Sequence, residues 1–249
     1  MELTIVTGLM AIAFCIVHLF VGRLRFLDRT PRSRWLSFAG GVAVSYVFLH
    51  VLPDLGARSA EFSRETGLRP AGAESLVYSL ALIGLATFYG LERALKVSRA
   101  RARGEGEDDV PQQGVLWLHI ASYATLNMLI GYLLLHREEA GGLSLGLYFV
   151  AMLLHFATAD FGMRQDHPQA YDHMARWVLA AAVLAGWMLG TNVTFSPIVI
   201  GCLFAFLAGG IVLNVLKEEL PEERRSFFLP FLFGTVLYAL LVLLERNLA

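Results

Sequence analysis

One pattern repeats along this chain and limits what it can fold into. Eight runs of predominantly apolar residues, at about 3–22, 35–52, 74–95, 114–136, 143–163, 174–191, 195–216 and 228–245, are separated by polar connections. Each approaches the length of roughly 20 residues that a helix needs to cross about 30 Å of hydrocarbon. In lipid, backbone N–H and C=O groups find no outside partner, so spans of this kind are helical. The expected fold class is therefore all-α, a polytopic integral membrane protein with eight transmembrane helices. Composition agrees: 56% of the residues are hydrophobic and only 16% charged, far from the balance of a soluble domain.

The remaining bulk properties exclude several functions. A net charge of −1, with the arginines placed in short connections, leaves no basic face for nucleic acid. No HExxH or comparable catalytic spacing is read along the chain, and no enzyme is expected. Cys15 and Cys202 lie inside apolar runs and read as small hydrophobes, not as a disulfide framework. The amino-terminal MELTIVTG carries an acid and no basic residue, with Arg23 and Arg25 following the first run, so that run reads as a retained span and not a cleaved signal peptide.

Lysine and arginine set the expected orientation. The odd-numbered connections hold 15 of the 20 basic residues, including Arg29, Arg93, Lys96, Arg164, Lys217 and Arg225. Both termini should then face outside, in what is expected to be a bacterial inner (plasma) membrane. The longest inside connection, KVSRARARGEGEDDVPQQG, turns from basic to acidic and has no aromatic residue. It reads as a flexible loop over about 96–113.

The sequence also echoes itself. FAGGVAVSYVFLHVLPD, from Phe38, resembles AFLAGGIVLNVLKEELPE, from Ala205: an Ala-Gly-Gly start, an aliphatic run with Ser45 or Asn214 four residues past the second glycine, and a closing Leu-Pro-acid. By the expected orientation one copy runs outward and the other inward. That is the mark of an inverted-topology repeat, which in transporters places the site between halves near the midplane. Small-residue pairs such as Gly40-Gly41 and Gly209-Gly210 also permit close helix contact on their own.

Taken together, the eight spans, the long inside connection after the third, and the AGG...HVLPD and AGG...LNVLKEELPE segments resemble the ZIP family of divalent-metal transporters. The resemblance covers nearly the whole chain. It implies a single transmembrane domain over 1–249 in a 3+2+3 arrangement: a first repeat to about 95, a central pair at about 114–163, and a second repeat at about 174–249. It further implies a metal site between the fourth and fifth helices. In the family the fourth helix carries His-Asn, then an acid and Gly, and the fifth carries His-Glu, then Pro and an acid. With Gly131 in the place of the family glycine, those fourth-helix positions hold Ser122, Tyr123 and Leu126. On the fifth, His155 fits the family histidine, Phe156 and Ala159 replace the acids, and Asp160 is one residue out of register. The family's inside loop is commonly histidine-rich; this one has no histidine.

An ionisable group at the bilayer centre costs about 2.5–3.5 kcal/mol on insertion scales and is a functional candidate for that reason. His119, Tyr123 and Asn127 recur every four residues on the fourth span and form a slowly drifting polar stripe. On the fifth, Asp160 lies roughly 140° round from His155 at about 100° per residue, so both aim at one ion only if the helix is kinked. The candidate metal residues are His155, Asp160, His119 and Asn127. The competing reading is interhelical hydrogen bonding, with Asp160 paired to Arg164 one turn on. His50 and Asp54 are outer-mouth candidates at i and i+4, or punctuation where Pro53 ends the second span. His18, alone in the first span, reads as a packing residue, and DHPQAYDH, from Asp166 to His173, as a solvated connection that can also collect cations.

The function these residues imply is a ZIP-like membrane transporter of divalent cations such as zinc, with the metal ion as substrate and no resident cofactor. The alternative is a ZIP-like fold serving as a sensor, a scaffold or a carrier of another solute. Expected partners are the lipid bilayer and a divalent cation, with a homodimer as one assembly open to it and no nucleic acid.

Overall fold

The computed structural model describes residues 2–23, 34–104, 113–137, 141–219 and 227–248. These residues contain helices and no strand. Eight of the helical segments are long and apolar enough to cross a membrane: α1 (Glu2–Arg23), α2 (Arg34–Thr66), α3 (Pro70–Ala102), α4 (Gln113–Leu133), α5 (Gly142–Gln165), α6 (Pro168–Asn192), α7 (Pro197–Lys217) and α8 (Phe228–Asn247). The protein is thus an integral membrane protein by the length and composition of its helices. Large apolar side chains such as Leu9, Leu82, Leu229 and Phe233 remain exposed around the bundle, as expected where lipid, not water, is the solvent.

Two helices are longer than their apolar runs. At 33 residues each, α2 and α3 measure about 50 Å at 1.5 Å per residue, well beyond the hydrocarbon. In α3 the basic half of the predicted flexible loop is helical as far as Gly104. The acidic half of that loop, and Arg25, Arg29, Arg32, Arg224 and Arg225 of the orientation argument, lie outside the described residues.

In α2, Pro53 does not end the helix as the sequence suggests. The chain widens into one π-helical turn over Val47–Val51, then continues helical to Thr66. A proline inside a helix lacks an N–H and clashes with the carbonyl four residues back, and a π turn relieves such strain. That carbonyl belongs to Leu49, and it accepts a hydrogen bond of 2.9 Å from Arg246 Nη2 of α8. A partner from another helix thus satisfies the group that Pro53 leaves open.

Three helix pairs pack most extensively: α3 with α7, α4 with α6, and α2 with α8. All three use one contact scheme. A Cβ on Gly41 would overlap the Phe231 carbonyl and meet Thr235 N, while one on Gly234 would overlap the Phe38 carbonyl. For α3 and α7 the corresponding overlaps are Gly209 with Ala81 O and Leu85 N, and Gly84 with Phe206 O. For α4 and α6 they are Gly131 with Val183 O and Trp187 N, and Gly186 with Met128 O. In each pair the glycine follows its partner's contact residue by the same three-residue step, so backbones touch where no side chain intervenes. Without a hydrophobic drive between helices in lipid, this direct backbone packing holds the pairs together.

The contacts sort the helices into two sets. Contacts link α8 to α2, α2 to α3 and α7, and α3 to α7 in one set, and α6 to α1, α4 and α5, and α1 to α5, in the other, and the sets join chiefly along α2–α5 and α3–α4. The connection between α5 and α6 is nearly all helix: α5 runs to the edge of His167, whose φ of −141° and ψ of 67° break it, and Pro168 starts α6. Because the turn is so short, the first turns of α6 fold back against the last turns of α5.

Candidate functional site

The fold brings four helices of one set to a common polar centre. His18, in the last turns of α1, is fully buried, and its Nδ1 lies 2.6 Å from Asp160 Oδ2 of α5. The other ring nitrogen, Nε2, lies 3.1 Å from Asn127 Nδ2 of α4. Tyr171, in the first turns of α6, donates its hydroxyl to Asp160 Oδ2 at 2.5 Å, with the His18 carbonyl oxygen also in reach at 2.8 Å. With the Asn127 amide placed this way, Nε2 accepts and Nδ1–H donates to the carboxylate, the neutral tautomer of His18. All four side chains are buried.

This explains why Asp160 is tolerated at membrane depth. Its Oδ2 takes a hydrogen-bond donor from each of two other helices, His18 Nδ1–H of α1 and the Tyr171 hydroxyl of α6, which offsets the cost of burying the carboxylate. The expected pairing of Asp160 with Arg164 is replaced: Arg164 instead holds Asp172 in a two-pronged bridge, Nε–Oδ1 at 2.9 Å and Nη2–Oδ2 at 3.1 Å. The reason is the tight α5–α6 turn, which places Asp172 beside Arg164 and Tyr171 beside Asp160.

The polar stripe of α4 is divided among three neighbours. At four-residue steps a helical row drifts by about 40° each time, and the drift separates its members. Asn127 meets α1 through His18. Tyr123 donates to Asn214 Oδ1 of α7 at 2.8 Å. His119 lies against Tyr123, with centroids 4.9 Å apart and the rings tilted by 41°, and its Nε2 is 3.8 Å from Glu92 Oε1 of α3. Glu92 in turn receives Lys217 Nζ of α7 at 2.6 Å. His119 therefore belongs to a second centre, away from Asp160.

His155 is buried one turn and a half before Asp160. It lies within electrostatic range of Asp160 and His18, and both imidazoles pack near the Phe156 ring, at 6.0 Å and 4.5 Å between centroids. Among the described residues, no three His, Cys, Asp or Glu side chains converge as they would around a metal ion.

His50 and Asp54 line a third polar region, a chamber of about 40 Å³ shared with Tyr46, Arg58, Arg137 and Tyr148. At about 10–15 Å³ per water it has room for a few molecules. Tyr46, His50, Asp54 and Arg58 follow one another at four-residue steps along α2. His50 stacks on Tyr46 at 5.3 Å and 16°, and the Tyr238 hydroxyl of α8 is 3.5 Å from its Nδ1. Ser144, also on the chamber wall, sits in a Gly-x-Ser-x-Gly string, Gly142 to Gly146. A nucleophile elbow needs a strand-to-helix turn; Ser144 instead lies in the first turn of α5 and accepts from Arg137 Nη1 at 2.9 Å.

No protein-family model, curated protein or solved structure matches this chain. Sequence reasoning named Asp160 and Asn127 but missed the two residues that unite them. His18 looked solitary because its partner is 142 residues away in sequence. Tyr171 looked like part of a solvated connection, although its position 11 residues after Asp160 suits a tight helical return. The other histidines fall elsewhere: His136 is 2.9 Å from the Gly190 carbonyl of α6, His167 is buried at the α5–α6 turn, and His173 is exposed.

Proposed function

We propose that the protein is a ZIP-like membrane transporter of divalent cations, with the His18–Asp160–Asn127 centre as the place where the cation is held. The observation that carries this reading is the His18–Asp160 pair, an imidazole and a carboxylate buried where four membrane helices meet. Intramembrane ionisable residues mark ion pathways, and imidazole with carboxylate suits a divalent transition metal. Rotation of the Asn127 amide would turn its oxygen toward Nε2 of His18, giving an N,O pair for a cation, with His155 as a further imidazole nearby. His119 then serves the Glu92–Lys217 centre and not the cargo.

The inverted repeat and the 3+2+3 order belong to this proposal too. Inversion that exchanges α2 with α7 and α3 with α8 converts the α2–α8 pair into the α7–α3 pair. The matched spacing of Phe38/Gly41 with Phe206/Gly209, and of Phe231/Gly234/Thr235 with Ala81/Gly84/Leu85, supports that exchange. In this register Gly41 corresponds to Gly209, one residue from the correspondence that the Ala-Gly-Gly strings suggest. Alternating access then arises from rocking one helix set against the other across the α2–α5 and α3–α4 contacts.

The test is uptake of zinc, manganese, iron or cadmium into proteoliposomes. Uptake should be lost in Asp160→Ala and reduced in His18→Ala and His155→Ala. Uptake indifferent to Asp160 removes the site, and no uptake of any of the four removes the cation reading. A second reading, a carrier of another solute on the same frame, is favoured by the absence of a three-ligand convergence among the described residues. Elemental analysis separates the two, because stoichiometric metal lost in Asp160→Ala supports only the first.

A further inference from the structure

The second polar centre opens onto a groove of about 480 Å³ between α3 and α7, lined by Tyr89, Glu92, Arg93, Lys96, Leu213 and Lys217 among others. Its charge is uneven. Glu92 is matched by Lys217 at 2.6 Å, whereas Arg93 and Lys96 point into exposed surroundings with no ion pair to them among the described residues. The groove therefore presents two exposed cations, Arg93 and Lys96, beside the Glu92–Lys217 pair, with Lys96 also in electrostatic reach of Glu92.

The surface leading to it has the opposite character. On α3, Leu82, Ala86, Tyr89, Arg93 and Lys96 occupy one stripe at three- and four-residue steps, and all five are exposed. Along it the chemistry passes from aliphatic, through the amphipathic ring of Tyr89, to cationic. Leu82 is 64% exposed and Tyr89 55%, which in a membrane helix is a lipid-facing surface. Tyrosine at such a junction marks the border between hydrocarbon and headgroups. Arg93 and Lys96 then lie at headgroup level, where anionic lipid attracts basic side chains by about 1 kcal/mol each.

We propose that the α3–α7 groove binds an anionic phospholipid, with its phosphate held by Arg93 and Lys96 and its acyl chains along the Tyr89–Ala86–Leu82 stripe. The charge order along the stripe selects this occupant: a zwitterionic lipid brings its own cation next to both side chains, and a soluble phosphate leaves the aliphatic half uncovered. Through Lys217 and Glu92 the groove also touches His119 on α4. Lipid bound there sits against a junction between the two helix sets.

The experiment is native mass spectrometry of the intact protein titrated with phosphatidylglycerol, and separately with phosphatidylcholine. Saturable phosphatidylglycerol binding is expected, weakened about thirty-fold in Arg93→Gln with Lys96→Gln, or roughly fivefold for each charge removed. Phosphatidylcholine binding should not respond to the double variant. Arg69→Gln, which removes an exposed charge between α2 and α3, serves as control and should leave phosphatidylglycerol binding unchanged. Equal loss in Arg69→Gln, or equal affinity for both lipids, overturns the proposal. Displacement of the lipid by inorganic phosphate at matched concentration, with the same dependence on Arg93 and Lys96, would assign the groove to a soluble anion and overturn it equally.

Discussion

The His18–Asp160 centre and the Tyr46–His50–Asp54 chamber use similar side chains, a histidine, a carboxylate and tyrosines, to opposite ends. In the first, Asn127 of α4 donates to the His18 ring, the ring donates to Asp160 of α5, and Tyr171 of α6 donates to the same carboxylate. In the second, the same residue types line a water-sized space with Arg58 and Arg137 close by. What separates them is packing: His18, Asp160, Asn127 and Tyr171 are each at most 3% exposed and bonded to one another, whereas the chamber has room for water. A dry network has only its own members to satisfy its polar atoms, whereas water can replace a missing member in the chamber.

Removing one member from each should expose that difference. Asp160→Ala strips His18 Nδ1–H of its acceptor and leaves the Tyr171 hydroxyl only the His18 carbonyl, and about 2–3 kcal/mol of stability should be lost, as for a buried donor left unsatisfied. Denaturant titration in mild detergent measures it; a loss under about 1 kcal/mol would mean that water already reaches the site. Gly131→Ala should cost about 1–3 kcal/mol, because its Cβ overlaps the Val183 carbonyl and pushes α4 away from α6. Asn127 lies one turn earlier, so this variant should couple to Asp160→Ala by more than about 0.5 kcal/mol in a double-mutant cycle. Strict additivity would show that glycine packing and the polar centre are independent.

Tyr171→Phe keeps the ring and removes one donor, and about 1–2 kcal/mol should go. Uptake assays on the same variant then show whether the hydroxyl matters beyond stability. The smallest effect belongs to the chamber: His50→Ala should cost about 1 kcal/mol or less, mainly the lost stacking on Tyr46, since water can take its place beside Tyr238. A loss matching that of Asp160→Ala would erase the contrast between the two regions.

Much of the frame was legible beforehand. Eight spans followed from run lengths alone, and the echo between Phe38 and Ala205 pointed to the two glycine-bearing helices that carry matching contacts. The site was half legible. Asp160 and Asn127 stood out because polar residues are costly in such segments. His18 and Tyr171 did not, since nothing local reveals that α1 packs on α6 or that the α5–α6 connection is a single break at His167. Pro53 misled for a related reason: local rules end a helix there, and only α8, through Arg246, supplies the partner that lets it continue.

By itself, then, the sequence determined the solvent, the helical class and the number of spans, because each depends on short stretches of chain meeting hydrocarbon. Which polar residues meet was decided by tertiary structure. In lipid every helix hides its backbone equally well, so the choice of neighbours falls to glycine contacts and buried hydrogen bonds between residues far apart in the chain. Those contacts gave His18 to Asp160, left His119 with Glu92, and made one closely bonded centre and one chamber with room for water from nearly the same side chains.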